Sequence, residues 1–457
     1  MNIKINKLVF ITSLFSIHLI PFAKSISIET LPILLLLFCY YIYLSTDQNI
    51  FNYIDKNRLI FLLIVYIVLF YSTHYFGGYN NIIELGKYLV GPIIFLLFTR
   101  LKKFFGLDEF IVFGFFIIIL FIISDFRLPI IFKLTCVVYE FFISRVDCSY
   151  AGLINLNRSP LITPEPSYLS LLLSYYLIVL YSFKQKIVTN DMKKNIISFL
   201  EVVILYIIIN TQSRIGVFFT LIYILFYIIK YNIYKNIYVY FIAIFLSFII
   251  FGYNYSATIF SGNYTKFDSD FSLITSRSLL NIDRIIDYYI VNSGAPMKGL
   301  LAYINNFEPT GFIRILHNYL SIVGSIKNNF IGNGLGSYSS LWYEYAIEAS
   351  LVDLLKFNEV TRDWYNPELA RGVSIYDKKQ YVQNYMFAML HDGGLIPIIL
   401  ILTIMFKATV KVIKNKYNFG YVILAYLFVS FFFQSPLTSP YPWLALAMIY
   451  YNDREYA

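Results

Sequence analysis

Long apolar runs separated by short polar breaks dominate this chain. A bilayer-crossing helix needs roughly 20 mostly apolar residues. Runs of that kind lie near 8–23, 27–45, 59–75, 82–99, 109–125, 165–183, 195–210, 215–230, 237–253, 385–406, 420–435 and 441–452. The pattern predicts an all-α polytopic membrane protein of about 12 transmembrane helices. The first run follows Lys4 and Lys7 as a signal peptide would, but no A-x-A pattern follows it, so it reads as an anchor. The last is short and begins at Pro440-Tyr441-Pro442. Two connections are long, about 126–164 and about 254–384. The expected organisation is therefore nine helices over 1–253, a large loop over 254–384 and three helices over 385–457.

Positive charge orients the bundle, because short cytoplasmic loops are rich in Lys and Arg. With the N-terminus inside, the inner connections carry Lys4, Lys7, Lys56, Arg58, Arg100, Lys102, Lys103, Lys184, Lys186, Lys193, Lys194, Lys230, Lys235, Lys407, Lys411, Lys414, Lys416 and Arg454. The short outer ones carry only Lys24 and Arg214. Both termini are then cytoplasmic and both long loops face outward. Long segments cross regardless of charge, so their basic residues do not oppose this orientation.

Composition agrees: 58% of the residues are hydrophobic and 14% charged, against about a quarter charged in a soluble domain. That excludes a disordered chain, a collagen and an ordinary soluble enzyme. The net charge of +9 is explained by the inner loops and does not imply nucleic acid as a partner. Cys39, Cys136 and Cys148 make no metal-ligand pattern; Cys136 and Cys148 share a loop and are either two free thiols or, where that loop faces an oxidising compartment, a bridge. No internal repeat, Walker motif, dinucleotide fingerprint or HExxH appears. Asp268-Ser269-Asp270 has the look of a D-x-D motif but lies within a polar loop, where a solvated turn explains it.

Four polar clusters fall on the outer face. Arg158-Ser159-Pro160 precedes Thr163-Pro164-Glu165-Pro166-Ser167 at the mouth of the sixth run. Glu165 is either a carboxylate favoured beside a helix start or a general base, and Pro166 suits the first helical position. Thr211-Gln212-Ser213-Arg214-Ile215-Gly216 is squeezed between two runs. Arg214 either snorkels to the interface or holds a phosphate with help from the following helix N-terminus. In the large loop, Arg314 and His317 stand at i,i+3 ahead of the glycine-rich stretch Asn328 to Tyr338. The plain reading of His317 is a hydrogen-bonded loop histidine. The fourth cluster runs from Gln383-Asn384 through His391-Asp392-Gly393-Gly394 to Pro397. Lys87, three residues after Glu84, either pairs with it or reaches the same face.

These motifs and the layout resemble the O-antigen polymerase and O-antigen ligase superfamily, whose fold belongs to the C-type glycosyltransferases. The Arg158…Glu165-Pro166-Ser167 stretch is similar to the polymerases' Arg…Glu-Pro-Ser pattern. Ser213-Arg214-Ile215-Gly216 is similar to a Ser-Arg-x-Gly turn shared by both groups. Arg314 and Asn329-Phe330-Ile331-Gly332-Asn333-Gly334 look like the family's loop arginine and its Asn-Pro-x-x-Gly-x-Gly run, with Phe330 in place of proline and the glycines one position early. The ligases' His-Asn, nine residues and Gly-x-x-Gly become Gln383-Asn384, nine residues and Gly394-Leu395-Ile396-Pro397. The missing histidine favours polymerase over ligase.

The resemblance implies metal-independent, inverting glycosyl transfer at the periplasmic face of a bacterial inner membrane, with no cofactor. The donor would be a growing glycan on undecaprenyl diphosphate and the acceptor a lipid-linked repeat unit, with a chain-length regulator as a further partner. Arg214 and Arg314 would clamp the pyrophosphate with Arg158 assisting, and Glu165 would serve as base or acceptor-orienting group. Lys87, His317, Gln383, Asn384 and His391 complete the set as substrate-binding candidates. Trp342 and Trp364 would stack on sugars or pack the loop core. The rivals are a ligase and a lipid-linked oligosaccharide transporter; the latter should carry charges deep in several spans.

Overall fold

The computed structural model describes residues 58–73, 82–101, 107–125, 166–186, 191–210, 214–230, 301, 309–352, 355, 382, 384–415, 419–432, 439 and 441–450. Regular structure among the described residues is helical, with no strand. We number the helices α1 Arg58–Thr73, α2 Ile82–Leu101, α3 Leu107–Asp125, α4 Pro166–Lys186, α5 Asp191–Asn210, α6 Arg214–Lys230, α7 Pro309–Lys327, α8 Tyr338–Glu348, α9 Tyr385–Gly393, α10 Leu395–Lys414, α11 Gly420–Phe432 and α12 Tyr441–Tyr450. Apolar runs and helices coincide to within a few residues for α1 to α6, α11 and α12. The runs at 8–23, 27–45 and 237–253, the loop 126–164 and most of 254–384 lie outside the described residues.

Helix ends follow local chemistry. Pro166 opens α4, where its missing N–H is no loss. Asp191 stands in the first turn of α5, and Lys230, Lys411 and Lys414 in the last turns of α6 and α10, matching the helix dipole. Among the described residues, only Leu395–Lys414 is both long and apolar enough by composition to cross a membrane; the other apolar helices are shorter by that measure.

One expected element differs. The run 385–406 is two helices, α9 and α10, broken at Gly394. Gly394 has φ +80°, and a Cβ there would collide with the carbonyl oxygens of Ile331 and Phe330. Hydropathy continues smoothly through this point; the break comes from a backbone approach that only glycine permits.

The chain divides into two compact units. The first comprises 1–224, 384–389 and 395–457. Within it α2 packs on α1 and α12, α4 on α3, α5, α11 and α12, and α10 on α1, α11 and α12. Tyr385, at the start of α9, is wedged against Trp443 and Phe431 with ring centroids 5.5 and 5.9 Å away. Its hydroxyl donates to the Tyr88 carbonyl at 3.2 Å. The second unit comprises 225–383 and 390–394, with α7 packed on α8 at its centre.

Glu201 departs from the expectation that charge gathers at the outer rim. It lies in the middle of α5, 5% exposed. Lys184 Nζ of α4 approaches its Oε2 at 2.7 Å, and the Tyr223 hydroxyl of α6 donates to its Oε1 at 3.1 Å. The carboxylate thus ties three helices together, and its burial is tolerable because it is paired.

Glycine substitutions separate strained from ordinary positions. Gly394→Ala should destabilise the purified protein by about 1–3 kcal/mol through its positive φ and the carbonyl collision. Gly86→Ala, with open space around a built Cβ in α2, should stabilise it by up to about 1 kcal/mol. Thermal unfolding of the two variants checks both, and equal behaviour would contradict the account.

Candidate functional site

In α7 the residues Ile313, Leu316, His317, Leu320 and Ser321 are buried while Ile315 is exposed and Arg314 half-buried. This is an amphipathic stripe at helical spacing, and His317 belongs to the stripe. Helical periodicity thus carries a histidine into the core while leaving Arg314 at its margin.

The chain then turns back through Asn328 to Ser337. Gly332, Gly334 and Gly336 all have positive φ, at 104°, 98° and 80°. Side chains rarely adopt this backbone, which explains why glycine recurs at every second position. The loop lies on the end of α9. Asn333 N–H donates to the His391 carbonyl and Gly334 N–H to the Asp392 carbonyl, both at 3.0 Å. The Asn333 side chain adds Nδ2 bonds to the same His391 carbonyl at 3.2 Å and to that of Gly324 at 3.3 Å.

The Asp392 carboxylate is the focus of this unit. Its Oδ2 accepts the Gly336 N–H at 2.8 Å, and its Oδ1 accepts His391 Nδ1–H at 2.6 Å. Oδ1 also receives the Ser337 hydroxyl and the Tyr338 N–H, each at 3.4 Å. Asp392 therefore caps the start of α8, where the helix dipole favours a carboxylate. His391 Nε2 accepts from the Tyr345 hydroxyl at 3.0 Å. On the other side, the Tyr338 hydroxyl meets His317 Nδ1 at 2.6 Å and donates to the His317 carbonyl at 3.2 Å. That pattern assigns the proton to Nδ1 of His317. The Tyr338 ring stands edge-on to His391, with centroids 5.1 Å apart, and Trp342 packs on His317 at 5.6 Å.

The order Tyr345–His391–Asp392 imitates a hydroxyl–imidazole–carboxylate triad. The electrostatics argue against a nucleophile. Burial pushes the Tyr345 hydroxyl above its usual range, and the charges of Asp392, Glu344 and Glu348 push it further. His391, Asp392 and Tyr345 are each at most 2% exposed, so no substrate reaches them as they stand. Burial holds His317 neutral, its pKa lowered to about 3. The network is a clasp that fixes the glycine loop, α8 and the end of α9 against α7.

The candidates fall into three groups. Arg314, His317 and His391 all belong to the second unit, where Tyr338 links His317 to His391 and Arg314 lies on the same helix as His317. His317 is the hydrogen-bonded histidine of the plain reading, although on a helix. Lys87 and Asn384 belong to the first unit, where Tyr88 and Tyr385, their chain neighbours, are bonded to each other. Lys87 is half-buried on α2. Asn384 caps α9: its Oδ1 accepts the N–H groups of Met386 at 3.0 Å and Phe387 at 3.3 Å, while its buried Nδ2 has no partner. Arg214 is the first residue of α6. Arg158, Glu165 and Gln383 lie outside the described residues. Tyr338, Tyr345 and Glu201 carry no sequence motif; of these only Glu201, an isolated acid in an apolar run, was visible in the hydropathy pattern.

No family model matches the chain, and no curated protein matches it in sequence.

Two measurements test the clasp. Tyr338→Phe removes the hydrogen bond between the Tyr338 hydroxyl and the buried His317 Nδ1 and should lower stability by about 1–3 kcal/mol. An unfolded histidine binds its proton near pH 6.5, whereas folded His317 binds it only near 3. Between these values the unfolded chain holds more protons, so stability is full above pH 6.5 and falls as pH drops towards 3. Denaturation across this range should show a weaker pH dependence in His317→Gln; parallel curves would contradict a neutral buried His317.

Proposed function

We propose that this chain is a polysaccharide polymerase of the bacterial inner membrane. It has about 12 membrane spans, cytoplasmic termini and a periplasmic active site, as the run and charge pattern of the sequence suggests. It transfers a glycan from undecaprenyl diphosphate to a hydroxyl of a lipid-linked repeat unit. The observation that carries the reading is the clasp. The stretch Asn329 to Gly334, which resembles one superfamily motif, is bonded to His391 and Asp392, which lie within the spacing of another, Gln383 to Pro397, beside the helix that bears Arg314.

The leaving group is a lipid pyrophosphate, so the demand on the protein is to hold negative charge and orient the acceptor. Arg314, at the margin of the buried stripe of α7, and Arg214, at the head of α6, supply guanidinium groups suited to phosphate oxygens. Glu165, next to the first residue of α4, is the proposed base. Glu201 is the one observation that favours a carrier, since buried charge in apolar helices often marks a transport path. Its pairing with Lys184 and Tyr223 gives it a structural role instead.

Expression in a polymerase-deficient strain should restore a ladder of chain lengths. Arg314→Ala, Arg214→Ala and Glu165→Ala should each reduce polymer by about 100-fold or more at equal protein level. Arg314→Lys should recover little, because an ammonium lacks the bidentate fork. A full ladder in all three alanine variants would defeat the site assignment. Long chains that assemble but stay unattached after gene deletion would favour the ligase.

A further inference from the structure

Helix α7 ends in a Schellman turn. Phe330 N–H donates to the Ser325 carbonyl at 2.7 Å and Asn329 N–H to that of Ile326 at 3.0 Å. In such a turn the residue at the Phe330 position often packs an apolar side chain back on the last helical turn. Here the receiving positions are Gly324 and Ser325, which offer no apolar side chain. Phe330 stands 39% exposed instead, with Ile326 at 57% and Ile331 at 58%. Its backbone is also left-handed, at φ 59°, directly after Asn329 at φ 50°. Asparagine tolerates that conformation, whereas a bulky aromatic residue rarely adopts it. Neither the backbone nor packing within the turn accounts for an aromatic residue here.

Gly394 lies against this apex, since a Cβ there would strike the carbonyl oxygens of both Ile331 and Phe330. The residue after Gly394 is Leu395, which opens α10. With 20 residues α10 is about 30 Å long, no more than the thickness of a bilayer's hydrocarbon core. Only 33% of its apolar window is buried, whereas the core helix of a soluble protein is mostly buried. Leu395, Ile396, Ile399, Leu402 and Phe406 are all exposed on it. A bilayer crossing takes the whole length of such a helix, so Leu395 stands at or inside the edge of the apolar layer. The apex touches Gly394, one peptide bond before Leu395, and is carried to the same depth. The Lys327 ammonium next to the apex is paired with Glu348, which lowers the cost of bringing it there.

We propose that Ile326, Phe330 and Ile331 form a membrane-contact tip, seated at the headgroup–acyl boundary of a phospholipid bilayer at the level of the first residue of α10. Apolar side chains flanked by the polar Asn328 and Asn329 match a boundary that is apolar on one side and wet on the other. The tip thereby holds the clasp at the membrane surface. This seat rests on the reading that α10 crosses a bilayer and does not require glycosyl transfer.

p-Benzoyl-phenylalanine placed at Phe330 of the full-length protein, and irradiated in native membranes, tests the tip. This residue keeps the phenyl ring and reacts with the C–H bonds that touch it. The peptide bearing position 330 should gain the mass of one phospholipid. Placement at Ile331 repeats the measurement where the first variant fails to accumulate. The same amino acid at Phe406 reports on the span alone. A phospholipid adduct at 406 without one at 330 or 331 overturns the tip and leaves the span standing. No lipid adduct at 406 overturns the span and the tip with it. Attachment of position 330 to another segment of this chain, to a second copy or to a different protein overturns the tip, because the ring is then covered by polypeptide. Adducts with an isoprenoid carrier lipid alone overturn it too, because they place the ring in a carrier site rather than at the bilayer surface.

Discussion

The second unit depends on one buried carboxylate. Withdrawing Asp392 from water is unfavourable unless its oxygens are fully used. They are: two backbone N–H groups at the head of α8, an imidazole N–H and a serine hydroxyl all point at it. Each donor constrains the chain that supplies it. Gly336 N–H reaches Oδ2 only from a loop whose alternate residues are left-handed, hence the run of glycines. His391 must carry its proton on Nδ1, which turns Nε2 into the acceptor for Tyr345. Tyr345 and the tightly packed Gly324 then fix the distance between α7 and α8; a Cβ on Gly324 would strike both the Tyr345 and His391 rings.

That hierarchy separates what holds the unit together from what can do chemistry in it. A buried imidazole between a carboxylate and a hydroxyl invites a catalytic reading. The same burial that creates the contacts raises the Tyr345 hydroxyl, lowers His317 and excludes substrate. Groups able to meet a ligand are those that the clasp leaves at its edge. Arg314 is the clearest, one turn from His317 and set in rotation by the His317–Tyr338 bond. In the first unit, Asn384 falls on the structural side of that line: its oxygen serves α9 as a cap and its side chain is buried.

How much of this was legible follows from the kind of constraint. Helix extent is a one-dimensional property of apolar runs, and α1 to α6, α11 and α12 were readable to within a few residues. Proline at the head of α4 and lysines at the ends of α6 and α10 were readable for the same reason. The break at Gly394 was not, because its cause is the carbonyls of Ile331 and Phe330, more than 60 residues away in the chain. Arg314, His317 and His391 stood out as isolated polar residues, and they do share a unit. Their partners Tyr338 and Tyr345 are two among 43 tyrosines, and only the fold distinguishes them. Glu201 was readable as a lone acid in an apolar run; its partner Lys184 was concealed because it also suits an inner-loop charge count.

The first unit contains polar groups of two kinds, and their different treatment carries a physical lesson. Glu201 is charged chemistry in an apolar setting and is answered on both oxygens, by Lys184 and Tyr223, because an unanswered charge there would be intolerable. Ser174, Tyr175 and Thr220 are neutral, and a buried hydroxyl without a partner is a smaller penalty than a buried charge. Helix α4 carries both: the ion pair through Lys184 near its end, the hydroxyls near its middle. Its contacts with α5 and α6 are therefore pinned by charge near its C-terminal end, whereas its middle is held by packing of neutral groups, among them Tyr175 against Tyr441.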